Sequence, residues 1–79
     1  MSMNIKEIIR EKIYEIIPEL KNEQISDSQE FEDMGLNSID RAELITLTLE
    51  EVELDMPRSE LAFSDTINDM ADVIKANMA

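Results

Sequence analysis

Ser38 ends the run Gly35-Leu36-Asn37-Ser38 and opens the segment Ser38-Ile39-Asp40-Arg41-Ala42-Glu43-Leu44-Ile45-Thr46-Leu47-Thr48-Leu49-Glu50-Glu51-Val52, whose pattern is helical. A hydroxyl at a helix start has two readings. Serine is a favoured N-cap residue, so it could simply satisfy exposed amides. Those amides and the positive end of the helix dipole would equally favour a phosphate on the same oxygen. Unaided, Ser38 is a poor nucleophile, and the chain has no histidine to activate it. The hydroxyl makes better sense as the substrate of another enzyme. With no cysteine present, any thiol would have to arrive on a cofactor.

Composition narrows the remaining chemistry. Seventy-nine residues make one domain, 1–79, with a single modest core and no room for a deep catalytic cleft. Without histidine the commonest general base and metal ligand are missing, and without cysteine there is no disulfide framework. Asp27, Glu30, Glu32 and Asp33 do not follow the spacing of a calcium loop, so neither a metal site nor a catalytic residue is expected.

The net charge of −12 is unevenly spread. Lys6, Arg10, Lys12 and Lys21 balance Glu7, Glu11, Glu15 and Glu19, so all of the excess lies from Asn22 onward. Such a field repels nucleic acid and anionic membranes and favours partners with basic patches, although acidity also keeps a small protein soluble. No run approaches the roughly 20 apolar residues of a membrane span. Met1 to Ile9 does not read as a signal peptide, because Lys6 and Glu7 interrupt it. A cytoplasmic location is expected.

The elements that must position Ser38 are helical. Ile5, Ile8, Ile9, Ile13, Ile16, Ile17 and Leu20 repeat at helical spacing, with Asn4 as N-cap, Glu7 in a capping-box position and Pro18 as the stop. Residues 18–37 form a long connection anchored by Ile25, Phe31, Met34 and Leu36, with a helical turn around residues 30–34 ended by Gly35. The second helix runs from about Ser38 to Val52 or Glu53 under an Asn37 cap. Its Leu44, Ile45, Thr48 and Val52 should face inward, while Asp40, Arg41, Glu43, Glu50 and Glu51 face outward. Pro57 breaks the chain, residues 58–63 suit a short third helix, and Thr66 with Asp69 caps a last helix carrying Ile67, Met70, Ala71, Val73, Ile74 and Met78. The expected fold is all-α, a small four-helix bundle of three longer helices and one short one, with a long loop between helices 1 and 2.

Phe31-Glu32-Asp33-Met34-Gly35-Leu36-Asn37-Ser38-Ile39-Asp40 resembles the phosphopantetheine attachment region of acyl carrier proteins, whose Gly-x-Asp-Ser-Leu signature bears the prosthetic arm on its serine. The likeness extends over nearly the whole chain, from the first amphipathic helix to the Pro-marked break at Met56-Pro57. It implies a non-catalytic carrier with 4′-phosphopantetheine, derived from coenzyme A, on Ser38. A phosphopantetheinyl transferase would install the arm, and acyl-loading and acyl-using synthases would read the second helix. Its outward acids Asp40, Glu43, Glu50 and Glu51 would steer it to basic docking surfaces.

Two departures bear on the kind of carrier. Asn37 replaces the usual aspartate before the serine, and Arg41 sets a positive charge among the acids. Leu49 is expected to add an outward apolar spot. Asn-Ser-Ile-Asp-Arg-Ala-Glu resembles carriers of polyketide pathways that serve β-branching cassettes, where the carrier delivers acetyl units to an enzyme similar to hydroxymethylglutaryl-CoA synthase. The recognition residues implied are Asn37, Ile39, Asp40, Arg41, Ala42, Glu43, Leu49 and Glu50. The start at Met1 and end at Ala79, without linker-like tails, lead to the expectation of a freestanding protein, and a monomer is expected. The alternatives are a housekeeping fatty-acid carrier, against which the polar Thr46 and Thr48 weigh, and an unmodified acidic interaction module in which Ser38 only caps.

Overall fold

A computed structural model describes residues 4–78. Among these residues are three α-helices, α1 (Ile5–Ile16), α2 (Ser38–Val52) and α3 (Ile67–Met78), with 3₁₀ segments at Pro18–Asn22 and Glu32–Met34 between the first two and at Arg58–Glu60 between the last two. Helix α1 packs against both α2 and α3. Its buried stripe is Ile5, Ile9 and Ile13, one residue per turn, and the Asn4 side chain accepts the Glu7 N–H at 3.2 Å. As expected from Pro18, the helix stops at Ile16, and the Ile17 N–H donates to the Ile13 carbonyl at 2.8 Å.

The long connection is pinned at several points. Leu20, Ile25, Phe31, Met34 and Leu36 are buried in it. The Arg10 guanidinium donates to the Ile25 carbonyl at 2.7 Å and pairs with Asp27. The Phe31 N–H reaches the Asp65 carbonyl at 2.7 Å, and Glu30 and Thr66 form an isolated antiparallel bridge. Gly35 ends the Glu32–Met34 turn at φ +95, and a Cβ there would meet nothing within 4 Å. Conformation rather than space calls for glycine at that point.

The expected short helix over residues 58–63 is a correction. Only Arg58–Glu60 form a 3₁₀ turn, followed by turns whose bonds all span three residues: Leu61 N–H to Arg58 O, Ala62 N–H to Ser59 O and Ser64 N–H to Leu61 O. A segment this short closes few α-helical bonds, so the tighter three-residue spacing competes with them. The Ala62 and Ser64 carbonyls at the end of this segment accept from the Arg41 guanidinium. The bundle therefore has three α-helices, and Leu61, 1% exposed, anchors the segment where a fourth was expected.

At the last helix, the Thr66 hydroxyl accepts the Asp69 N–H at 3.1 Å, as the spacing predicts. Ile67, Met70, Ala71 and Ile74 are buried, whereas Val73 is half-buried and Met78 is exposed.

Candidate functional site

The first turn of α2 bears on the two readings of Ser38. Asn37, not Ser38, caps the helix. The Asn37 side-chain oxygen accepts the Asp40 N–H at 2.8 Å, and the Asp40 carboxylate accepts the Asn37 N–H at 3.2 Å, a reciprocal capping box. The Arg41 N–H donates to the Asn37 carbonyl at 2.9 Å. Ser38, one residue inside the helix, is exposed, and its hydroxyl has no hydrogen-bond partner among the described residues. The cap is thus complete without the serine, which leaves the hydroxyl available at the positive end of the dipole.

A surface groove of about 200 Å³ begins at Ser38 and is lined by Arg41, Ala42, Ile45 and Ala62. It continues past Ala42, Ile45 and Ala62 toward Arg58 and Ser59. The small side chains of Ala42 and Ala62 line it, and half-buried Ile45 supplies an apolar wall. A phosphodiester-linked arm on Ser38 fits these surroundings, with a free hydroxyl, helix-start dipole and cation at its root and an apolar groove alongside.

The other residues expected to serve recognition divide. Asn37, Ile39, Ala42, Glu43 and Glu50 are exposed, Ile39 at 78%. Asp40 is half-buried and committed to the cap. Arg41 lies among the outward residues but is not a free cation. Its guanidinium donates to the Ser64 carbonyl at 2.9 Å and, more loosely, to Ala62 O and Asp65, both at 3.4 Å. Glu51, expected on the docking face, reaches Lys12 of α1 at 3.0 Å. Lys12 also pairs with Glu15 at 3.0 Å, and bonds to Glu15 and then Glu51 raise its pKa above the ordinary 10.5.

Leu49 is a second correction: it is buried, 8% exposed, not an outward apolar spot. Beyond Val52 the chain reverses at Glu53, which adopts φ 54. The Leu54 N–H then donates to Leu49 O at 3.1 Å, and the Glu53 N–H donates to Glu50 O at 3.3 Å. This is the Schellman arrangement, which commonly brings the residue after the left-handed position over the third residue from the helix end. Leu54 and Leu49 do line one hollow together, with Thr46, Glu50, Glu53, Asp55 and Arg58.

Sequence reasoning missed Ile45 and Ala62 as groove residues and Phe63 as an exposed aromatic, 88% accessible. Ala62 and Phe63 had no signal beyond lying in a short helix-like run. Ile45 was assigned inward from periodicity, which cannot separate a core position from a groove wall.

Comparisons with known proteins agree with this geometry. Residues 5–74 match the model of the phosphopantetheine attachment site family. The chain is similar to the polyketide biosynthesis acyl-carrier-protein AcpK of Bacillus subtilis (strain 168), 36% identical over 70 residues, covering 89% of this chain and 85% of that one. It is also similar to a chain in the crystal structure of the curacin biosynthetic pathway HMG synthase in complex with acetyl donor-ACP. There the TM-score is 0.86 and the identity 33%, over 91% of this chain and 92% of the other. A family match over most of the chain, on a fold that frees one serine hydroxyl beside a groove, establishes that the protein belongs to the acyl carrier proteins, non-catalytic carriers with covalently attached 4′-phosphopantetheine.

Proposed function

We propose that Ser38 bears the arm and that the protein donates acetyl units to an HMG-CoA-synthase-like enzyme in a polyketide pathway that performs β-branching. The observation that carries this reading is the likeness to the chain from the HMG synthase–acetyl donor-ACP complex, at 33% identity and a TM-score of 0.86. The polyketide carrier from Bacillus subtilis supports the pathway class.

Each part of the first turn has a task in this reading. Asn37 and Asp40 hold the helix start in place, so a phosphopantetheinyl transferase meets Ser38 as a free hydroxyl. The dipole at the start of α2 stabilises the negative charge of the phosphodiester. The bound arm supplies the thiol that carries an acyl group as a thioester, which no side chain of this sequence can do. Exposed Ile39 adds an apolar contact next to the attachment point, and Glu43 and Glu50 bring charge to basic partner surfaces. Exposed ion pairs contribute about 0–1 kcal/mol each, so docking is weak and release fast, as repeated delivery requires. A monomer in the cytoplasm suits the same role.

The donor role is tested by competition. An HMG-CoA-synthase-like enzyme from a β-branching cassette is offered the acetylated protein and an acetylated fatty-acid carrier together. Preferential acetyl transfer from this protein is expected, by about tenfold or more, the equivalent of one or two docking contacts. Equal use of the two carriers would overturn the donor assignment while leaving the family untouched.

A further inference from the structure

We infer that Arg41 holds two groups at once, the 61–65 turn through one guanidinium nitrogen and the phosphodiester on Ser38 through the others. The inference rests on Ser38 being the attachment residue. All three contacts of Arg41 to the turn, with Ser64 O, Ala62 O and Asp65, use the same nitrogen, Nη2. Nη1 and Nε have no partner among the described residues. A guanidinium offers five N–H donors in a rigid plane, so the clamp leaves donors unused.

Arg41 and Ser38 are neighbours on the surface. Positions 38 and 41 are three apart and share a helix face. They line two hollows together, one running to Ala42, Ile45 and Ala62, the other to Glu32, Leu36 and Asn37. The clamp removes most of the rotamer freedom that an arginine would otherwise lose on gripping an anion, so its cation is preorganised. The carboxylates near it, Asp65 at 3.4 Å and Glu32 across the second hollow, do not occupy Nη1 or Nε. A phosphate on Ser38 brings acceptor oxygens of matching charge and geometry. Arg41 then ties the arm's root, α2 and the 61–65 turn into one unit, and modification stabilises the fold through that turn.

The test compares apo and holo forms of wild type, Arg41→Gln and Arg41→Lys, with conversion followed by intact mass. A clamp that ignored the phosphate would lower apo and holo melting temperatures equally, so the holo-minus-apo difference isolates the second contact. Wild type should show a larger difference than Arg41→Gln, by about 3 °C for a partly exposed charged contact in a domain of this size. Arg41→Lys should recover part of it. In wild type alone, the Arg41 Nε–H resonance should shift and exchange more slowly with solvent after modification, a readout independent of how well the variants fold. An equal holo-minus-apo difference in all three proteins, or an unchanged Arg41 resonance, would overturn the inference. Absence of any mass gain in folded wild type would instead remove the attachment at Ser38 on which it rests.

Discussion

The two ends of α2 are built on opposite principles. At its start, Asn37 and Asp40 form a reciprocal cap, an acid sits at the positive end of the dipole, and Arg41 ties the turn to residues 62–65. At its end, Glu50, Glu51 and Glu53 gather at the negative end of the dipole with no basic residue in the last turn, and non-glycine Glu53 takes a left-handed conformation. The first end is locally favourable; the second is opposed by both electrostatics and backbone preference. What keeps the second end in place is burial, with Leu49, Val52 and Met56 all below one-tenth exposed. The end that carries the exposed Ser38 hydroxyl is thus held by hydrogen bonds, whereas the other end packs its apolar residues beneath an acidic surface.

The contrast can be broken by substitution. The largest effect on stability is expected from Leu49→Ala, a loss of about 3 kcal/mol in denaturant unfolding, because the side chain is buried. A loss under about 1 kcal/mol, the range of surface changes, would return Leu49 to the outward role assigned from sequence. Next comes Asn37→Ala, which should cost about 1 kcal/mol by removing the cap, whereas Ser38→Ala should stay within about 0.5 kcal/mol because its hydroxyl caps nothing. Equal costs for the two would restore serine as a cap. Glu53→Gly should raise stability by about 0.5–1 kcal/mol, since glycine adopts the left-handed conformation without strain. The smallest change is Glu50→Gln, a gain of about 0.3 kcal/mol that shrinks as salt screens the dipole interaction. The same substitution should weaken docking to the synthase, visible as a slower association rate at low salt.

Legibility in the sequence followed the range of the interactions. The Asn4, Asn37 and Thr66 caps, the stop at Pro18 and the glycine turn at Gly35 depend on residues within a few positions, and each stands where its local pattern predicts. The burial of Leu49 was not legible because its Schellman turn uses Glu53 where glycine is the usual signal. Nor was the contact of Arg41 with the Ala62 and Ser64 carbonyls, 21 and 23 residues away. The groove beside Ser38 joins Ala42 and Ile45 to Ala62 across the fold, a juxtaposition that periodicity along one helix does not contain. The candidate attachment residue thus stands out by its motif, whereas the groove and clamp around it follow only from the packing of distant segments.

The account's central claim is that Ser38 is the point of attachment. Wild type and Ser38→Ala, both verified as folded by circular dichroism, are incubated with coenzyme A and a broad-specificity phosphopantetheinyl transferase, and their intact masses are recorded. The account predicts a gain of one phosphopantetheine by wild type and none by Ser38→Ala. Modification of the alanine variant, or no gain by folded wild type, would contradict it.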